Sequence, residues 1–323
     1  MHFRSVSDLG RTVHTGLPKL PRSIDLVVGI PRSGMLVATL IALLRDLPLT
    51  DLDGLLEGRI YTPGTTRGQQ SATMLDVGHV LLVDDSCRTG NAMARARAAI
   101  DQALPGLGYT TCVAYGVSGG GDSGVHITLE NVAEPRVFEW NVLHHPIIER
   151  ACVSLDGVLW PASGASAHDD EERALRSLME AAPGHRPRRR IGTLITGRPD
   201  KYRRQTEAWL ARHDIRYGDL KMLPASSGKW RHESSAAFKA RTFAEMDSPL
   251  FLEGDAGQAT EISRLSGKPV LSLEHMHLFK PGALNLAAMR QMVASRQAPA
   301  RLARTLLGDR GAALVRKLRA QGA

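Results

Sequence analysis

The chain has 323 residues, a formal net charge of +8 and three cysteines, Cys87, Cys112 and Cys152. That length suits two domains of ordinary size, and three scattered cysteines exclude a disulfide scaffold or a thiolate zinc site. No apolar run reaches a membrane span, MHFRSVSDLG lacks a signal-peptide core, and the excess of positive charge favours anionic partners, so the expected location is cytoplasmic.

Residues Met1 to Pro21 are polar, carry no strong pattern and are expected to be irregular. Ile24 to Ile30 reads as the first strand. It runs into Pro31, Arg32, Ser33 and Gly34, then a helix over Met35 to Arg45. A small-residue loop between a strand and a helix N-terminus is a place for an anion; alone it would be an ordinary tight turn. Leu49 to Gly78 is rich in Pro, Gly, Thr and Ser and reads as a lid-like loop. Arg59 and Arg67 are its candidate charges, with Arg67 at its middle.

The chain is organised around Val80 to Met93, VLLVDDSCRTGNAM. Val80 to Val83 has the continuous apolar character of a parallel strand covered on both faces. Asp84 and Asp85 offer oxygens to sugar hydroxyls or Mg²⁺. Ser86, Cys87, Arg88, Thr89, Gly90 and Asn91 form a loop able to wrap a phosphate in hydroxyls and backbone N–H groups. A helix follows over Asn91 to Leu104, a strand over Thr110 to Val117, a glycine loop at Gly119 to Gly121 and a short strand over Arg136 to Trp140. His144 and His145 are adjacent, point different ways and make a poor metal pair.

An apolar strand, two acids and then Thr-Gly resembles the phosphoribosyl pyrophosphate (PRPP) signature of type I phosphoribosyltransferases, here Asp84, Asp85, Thr89 and Gly90. Ala92 departs from it, standing where the family often has a second hydroxyl residue. The resemblance implies an α/β fold with a parallel sheet and helices on both faces. It implies that Asp84 and Asp85 hold the ribose hydroxyls and possibly the metal, and that Ser86 to Asn91 hold the 5-phosphate. The loop from Pro31 to Gly34, with Arg32, would hold pyrophosphate, and Arg67 would close the lid. Mg²⁺ is the implied cofactor. Asp85 is also a candidate base toward the acceptor.

A second domain is expected from Ile147. ACVSLDGVLW, LITG, Lys239 in AAFKARTF and FLEGDAGQATEI occur in order over Ile147 to Leu273. Together they resemble the motifs of the haloacid dehalogenase-like superfamily, which implies a Rossmannoid domain with Asp156, Thr196, Lys239, Glu253 and Asp255 at its site. That family's nucleophilic Asp is Ser154 here. A hydroxyl needs a base to attack phosphorus, so hydrolysis is expected to be lost. HRPRRR, His185 to Arg190, reads as a solvated basic face. The basic amphipathic segment over residues 281–323 reads as packing onto a domain, with an anionic membrane surface as the second option. The expected division is thus 1–146, 147–280 and 281–323.

Only about twenty residues precede the first core strand, few for an acceptor-binding hood. The domain pair is similar to bacterial glycan phosphoribosyltransferases, which implies transfer of 5-phosphoribose to a sugar hydroxyl of a surface glycan. Three other readings stay open: a nucleobase (orotate-like) transferase, a bifunctional transferase–phosphatase, and a non-catalytic PRPP-sensing regulator. No nucleic-acid partner is expected.

Overall fold

The protein is described from a computed structural model over residues 1–62, 77–117, 124–160, 180–224 and 234–282. It divides into two compact units, Met1–Asn141 and Val142–Ala323. The division lies ahead of the boundary expected at Ile147.

The first unit contains β1 (His2–Arg4), α1 (Val6–Gly16), β2 (Leu26–Gly29), α2 (Ser33–Arg45), β3 (Leu49–Asp51), α3 (Leu52–Leu56), β4 (His79–Ser86), α4 (Asn91–Ala103), β5 (Gly108–Gly116), β6 (Ile127–Asn131) and β7 (Arg136–Phe138). Five strands form a parallel sheet in the order β3-β2-β4-β5-β6. The central β4 is buried on both faces, as its apolar run requires. Strand alternation sorts its side chains. Leu81 and Val83 pack with Leu9, Val13, Val37 and Ile41 from α1 and α2. Val80 and Leu82 pack with Leu55, Met93, Ala96 and Ile100 from α3 and α4. This is an α/β unit with helices on both faces. Strands β1 and β7 pair separately, in parallel.

The N-terminal stretch corrects the expectation of irregular structure. Ser5 caps α1: its Oγ accepts from Asp8 N at 3.0 Å, and Asp8 Oδ2 accepts from Ser5 N at 2.8 Å. This reciprocal capping box satisfies two N–H groups that would otherwise lack partners. Leu9, Thr12, Val13 and Gly16 then fall on one buried face. The apolar stripe is short and partly built from Thr and Gly, so hydrophobicity alone does not display it.

The second unit contains β8 (Cys152–Ser154), β9 (Ile191–Pro199), α5 (Arg203–Arg212), β10 (Tyr217–Leu223), α6 (Ser235–Ala244), β11 (Phe251–Glu253), α7 (Ala256–Ser266), β12 (Val270–Ser272) and β13 (His277–Phe279). Its sheet runs β10-β9-β8-β11-β12-β13. All pairings are parallel except β12 with β13. It too is an α/β unit, with Cys152, Ile195, Phe238, Phe243, Phe251 and Ile262 in its core. Strand β9 runs past Thr196 to Pro199.

Candidate functional site

Strand β4 does not stop at the acids. It continues through them to Ser86, with Asp84 paired to Val113 and Ser86 to Tyr115. Because side chains alternate across a strand, Asp84 and Asp85 face opposite sides of the sheet. Asp85 is 6% exposed. Its Oδ1 accepts from Ser33 Oγ at 2.9 Å and its Oδ2 from Trp140 Nε1 at 2.8 Å. Each oxygen of Asp85 thus has one donor inside the protein.

Asp84 has fewer described partners than Asp85. Its Oδ1 accepts from the Asp85 N–H at 2.8 Å, and Oδ2 accepts from no described residue. Burial first, and the neighbouring Asp85 second, push its carboxyl up to about 7. The 31–34 loop reaches the same carboxylate: a Cβ at Gly34 would lie 3.1 Å from Asp84 Oδ1 and 2.7 Å from Val83 O. Only glycine allows that approach. Pro31 and Arg32 are exposed and Ser33 is half-buried; the Pro31–Arg32 peptide is cis.

A cavity of about 140 Å³ opens beside Asp84, lined by Ser86, Arg88, Thr89, Gly90 and Asn91 among others. Gly90 caps α4 with φ 75°, a left-handed backbone that aims the loop at the helix N-terminus. The backbone N–H groups of Arg88, Thr89, Gly90 and Asn91 donate to no described residue. Such a group of unpaired N–H donors at a helix start suits an anion. Cys87 lines the same cavity. Its N–H donates to Tyr115 O at 3.0 Å, and its carbonyl accepts from Arg136 Nη2 at 2.8 Å. Arg67 lies outside the described residues, as do the glycine loop at 119–121 and the basic segment beyond 282. Arg59 is exposed and paired with Glu57 at 2.7 Å.

The second unit gathers its own polar cluster. Lys239 Nζ donates to Ser154 Oγ at 3.0 Å, Glu253 Oε2 at 2.8 Å and Gln258 Oε1 at 3.1 Å. Lys239 and Glu253 are each 1% exposed. Burial raises the Glu253 carboxyl, and Lys239 together with the Gly254 and Asp255 N–H groups pulls it back. Ser154 is buried and donates to Asp156 O at 3.0 Å. With all three ammonium protons engaged, Lys239 has none free for a phosphate. Asp156 Oδ1 accepts from Arg198 Nε at 2.9 Å and Nη2 at 2.6 Å, while its Oδ2 accepts from Thr196 Oγ1 at 2.6 Å. Arg198 also stacks on Trp160, 3.9 Å from the ring centroid. Gly157 and Gly254 let the two site loops touch, since a Cβ on Gly254 would sit 2.4 Å from Gly157 C. Asp255 serves as cap of α7, accepting from Gln258 N at 2.6 Å.

Sequence reasoning brought Ser154, Asp156, Thr196, Lys239 and Glu253 to one end of this sheet but missed Arg198, Gln258 and, in the first unit, Arg136. Arg198 is two residues past Thr196 in one strand, a spacing that puts both on one face. Arg136 opens the segment RVFEW, which also carries Glu139, and nothing in that local pattern marks it as buried.

Among the described residues no three or more His, Cys, Asp or Glu side chains are placed to hold a metal, and no helix is long and apolar enough to cross a membrane. No family model matches the chain, and no curated protein matches it. Similar solved structures include the Helicobacter pylori xanthine-guanine-hypoxanthine phosphoribosyltransferase, at 15% identity and TM-score 0.33 over 44% of this chain and 92% of that one. A purine phosphoribosyltransferase from Pyrococcus horikoshii Ot3 has 16% identity and TM-score 0.32 over 43% and 92%. The Aeropyrum pernix orotate phosphoribosyltransferase has 21% identity and TM-score 0.28 over 39% and 72%. Each likeness is confined to less than half of this chain.

Proposed function

We propose that the first unit binds PRPP and transfers its 5-phosphoribosyl group to an acceptor with release of pyrophosphate. The observation that carries this reading is the meeting of two anion loops at one carboxylate. The 31–34 loop touches Asp84 from one side, and the cavity lined by Ser86 to Asn91 opens beside it. A ligand with a sugar flanked by a phosphate and a pyrophosphate has that charge pattern.

Asp84 would accept from the ribose hydroxyls. The N–H groups of Arg88 to Asn91 would hold the 5-phosphate, and Arg32 with the 31–34 backbone would hold pyrophosphate. Breaking the bond from ribose C1 to pyrophosphate builds positive charge on the ring and negative charge on the leaving oxygens. Donors fixed around the leaving group stabilise that charge without reorganising, and a gripped 5-phosphate keeps C1 in line with the acceptor. Asp85, held by Ser33 and Trp140, fixes the strand end that presents Asp84.

The donor set fits Mg²⁺ delivered with its substrate rather than held in a protein cage. Asp84 offers one carboxylate oxygen without a described partner, and Mg²⁺ commonly binds through one or two carboxylates plus phosphate oxygens. When bound, the ion would neutralise the pyrophosphate charge.

The proposed acceptor is a sugar hydroxyl of a bacterial surface glycan, resting on the resemblance of the domain pair. The second unit is proposed as a haloacid dehalogenase-like domain without hydrolysis. In support, Ser154 stands at the nucleophile position, and its hydroxyl is tied to Asp156 O and Lys239. The test is calorimetry with PRPP and Mg²⁺, then incubation with panels of glycans and nucleobases, following pyrophosphate and product mass. Heat of binding and a pentose-phosphate adduct on a glycan are expected. No uptake of PRPP would sink the reading, and product on a free base alone would move the acceptor to the nucleobase class.

A further inference from the structure

Arg136 is 8% exposed, yet among the described residues it makes no salt bridge. A buried guanidinium normally has a carboxylate partner. This one is held by carbonyls. Nη1 donates to Gly116 O at 2.6 Å and to Val132 O at 3.3 Å, and Nη2 donates to Cys87 O at 2.8 Å. Gly116 ends β5 and Cys87 opens the loop after β4. The side chain therefore ties the ends of two neighbouring strands to β7. Its neighbours on alternate positions extend the clamp: Phe138 stacks on Trp140 at 4.9 Å, and Trp140 reaches Asp85. Carbonyl dipoles accept three hydrogen bonds from the guanidinium but leave its unit charge in place. Glu134 and Asp85 act on that charge only through space, and Arg88 opposes them.

Two consequences meet at the neighbouring cavity. A carbonyl that turned into the pocket would repel an anion; the hydrogen bond from Arg136 fixes the Cys87 oxygen. The same guanidinium places positive charge behind the loop in surroundings that screen it poorly. We infer that Arg136 is a positioning residue of the cradle at residues 86–91, holding the Cys87 carbonyl outward and lending the cradle charge for a phosphate monoester dianion. This rests on the reading of that cradle as a 5-phosphate site.

The test uses the full chain, ribose 5-phosphate and calorimetry at several salt concentrations. Wild type binds. Arg136→Met is expected to weaken binding about tenfold or more, the worth of a charge-assisted hydrogen bond, and to flatten the salt dependence. Arg136→Lys is expected to keep the salt dependence while losing part of the affinity, since an ammonium cannot span the same carbonyls. A folded Arg136→Met with wild-type affinity and salt dependence overturns the inference. If that variant does not fold, undiminished affinity in Arg136→Lys overturns it equally. Absence of binding by wild type would instead sink the cradle itself.

Discussion

Trp140 Nε1 donates to Asp85 Oδ2 at 2.8 Å, from a ring stacked on Phe138. Together with Ser33 it accounts for both oxygens of a buried carboxylate. Trp140→Phe keeps an aromatic ring in the stack but leaves one of these oxygens without a partner. The expected loss is about 1–3 kcal/mol, with Ser33→Ala losing a similar amount. Denaturant unfolding of both variants checks it.

Asp84 has a folded-state value of about 7 against an ordinary 3.8, raised chiefly by burial. Between those values the folded chain holds a proton that the unfolded chain has released. Stability therefore falls as pH rises across the window, by about 1.4 kcal/mol per pH unit at most, and the benefit is gone above it. Asp84→Asn should flatten this slope and melt higher than wild type at pH 8. In wild type, affinity for PRPP with Mg²⁺ should rise as pH passes about 7. Melting curves and calorimetry across pH 4.5 to 8.5 are the measurements.

Gly90 holds φ 75° at the start of α4. Gly90→Ala meets the steric cost of the left-handed region, about 1–2 kcal/mol, and tilts the N–H groups that line the cavity. Loss of ribose 5-phosphate binding out of proportion to the fall in melting temperature is the expected signature. A variant that binds as wild type does would show that the loop is not a cradle.

Lys239 and Glu253 form a salt bridge with both side chains 1% exposed. Lys239→Met leaves a carboxyl buried without its cation and should cost about 3–5 kcal/mol. Lys239→Met combined with Glu253→Leu should recover much of that loss, because the charge is removed with its partner. A double-mutant cycle in denaturant gives the coupling.

With Ser154 tied to Lys239 and to Asp156 O, the second unit should release no phosphate from small phosphate monoesters in the presence of Mg²⁺. A colorimetric phosphate assay checks this. Release that survives Asp84→Asn and disappears in Asp156→Asn would contradict it.

The central strand and the loops before α2 and α4 were legible in the sequence because each is a local pattern: an apolar run, then small residues, then a helix. In the second unit Ser154, Thr196, Lys239 and Glu253 each sit at or near a strand end or on one helix. Helix α1 was missed because its stripe is short, although Ser5 and Asp8 spelled its cap.

What linear order could not carry was the direction and partnership of side chains brought together from distant segments. Asp84 and Asp85 look equivalent as letters, but strand alternation sends one to an open cavity and the other to Ser33 and Trp140, 52 and 55 residues away in the chain. Arg136 has no legible partner until the fold sets Cys87 O and Gly116 O around it. Patterns of neighbouring residues determine which elements form, since that choice depends on local backbone geometry and burial. Which hydrogen bonds each buried charge completes is decided only when the sheet and the segments packed on it close, because desolvation leaves such groups no other partners.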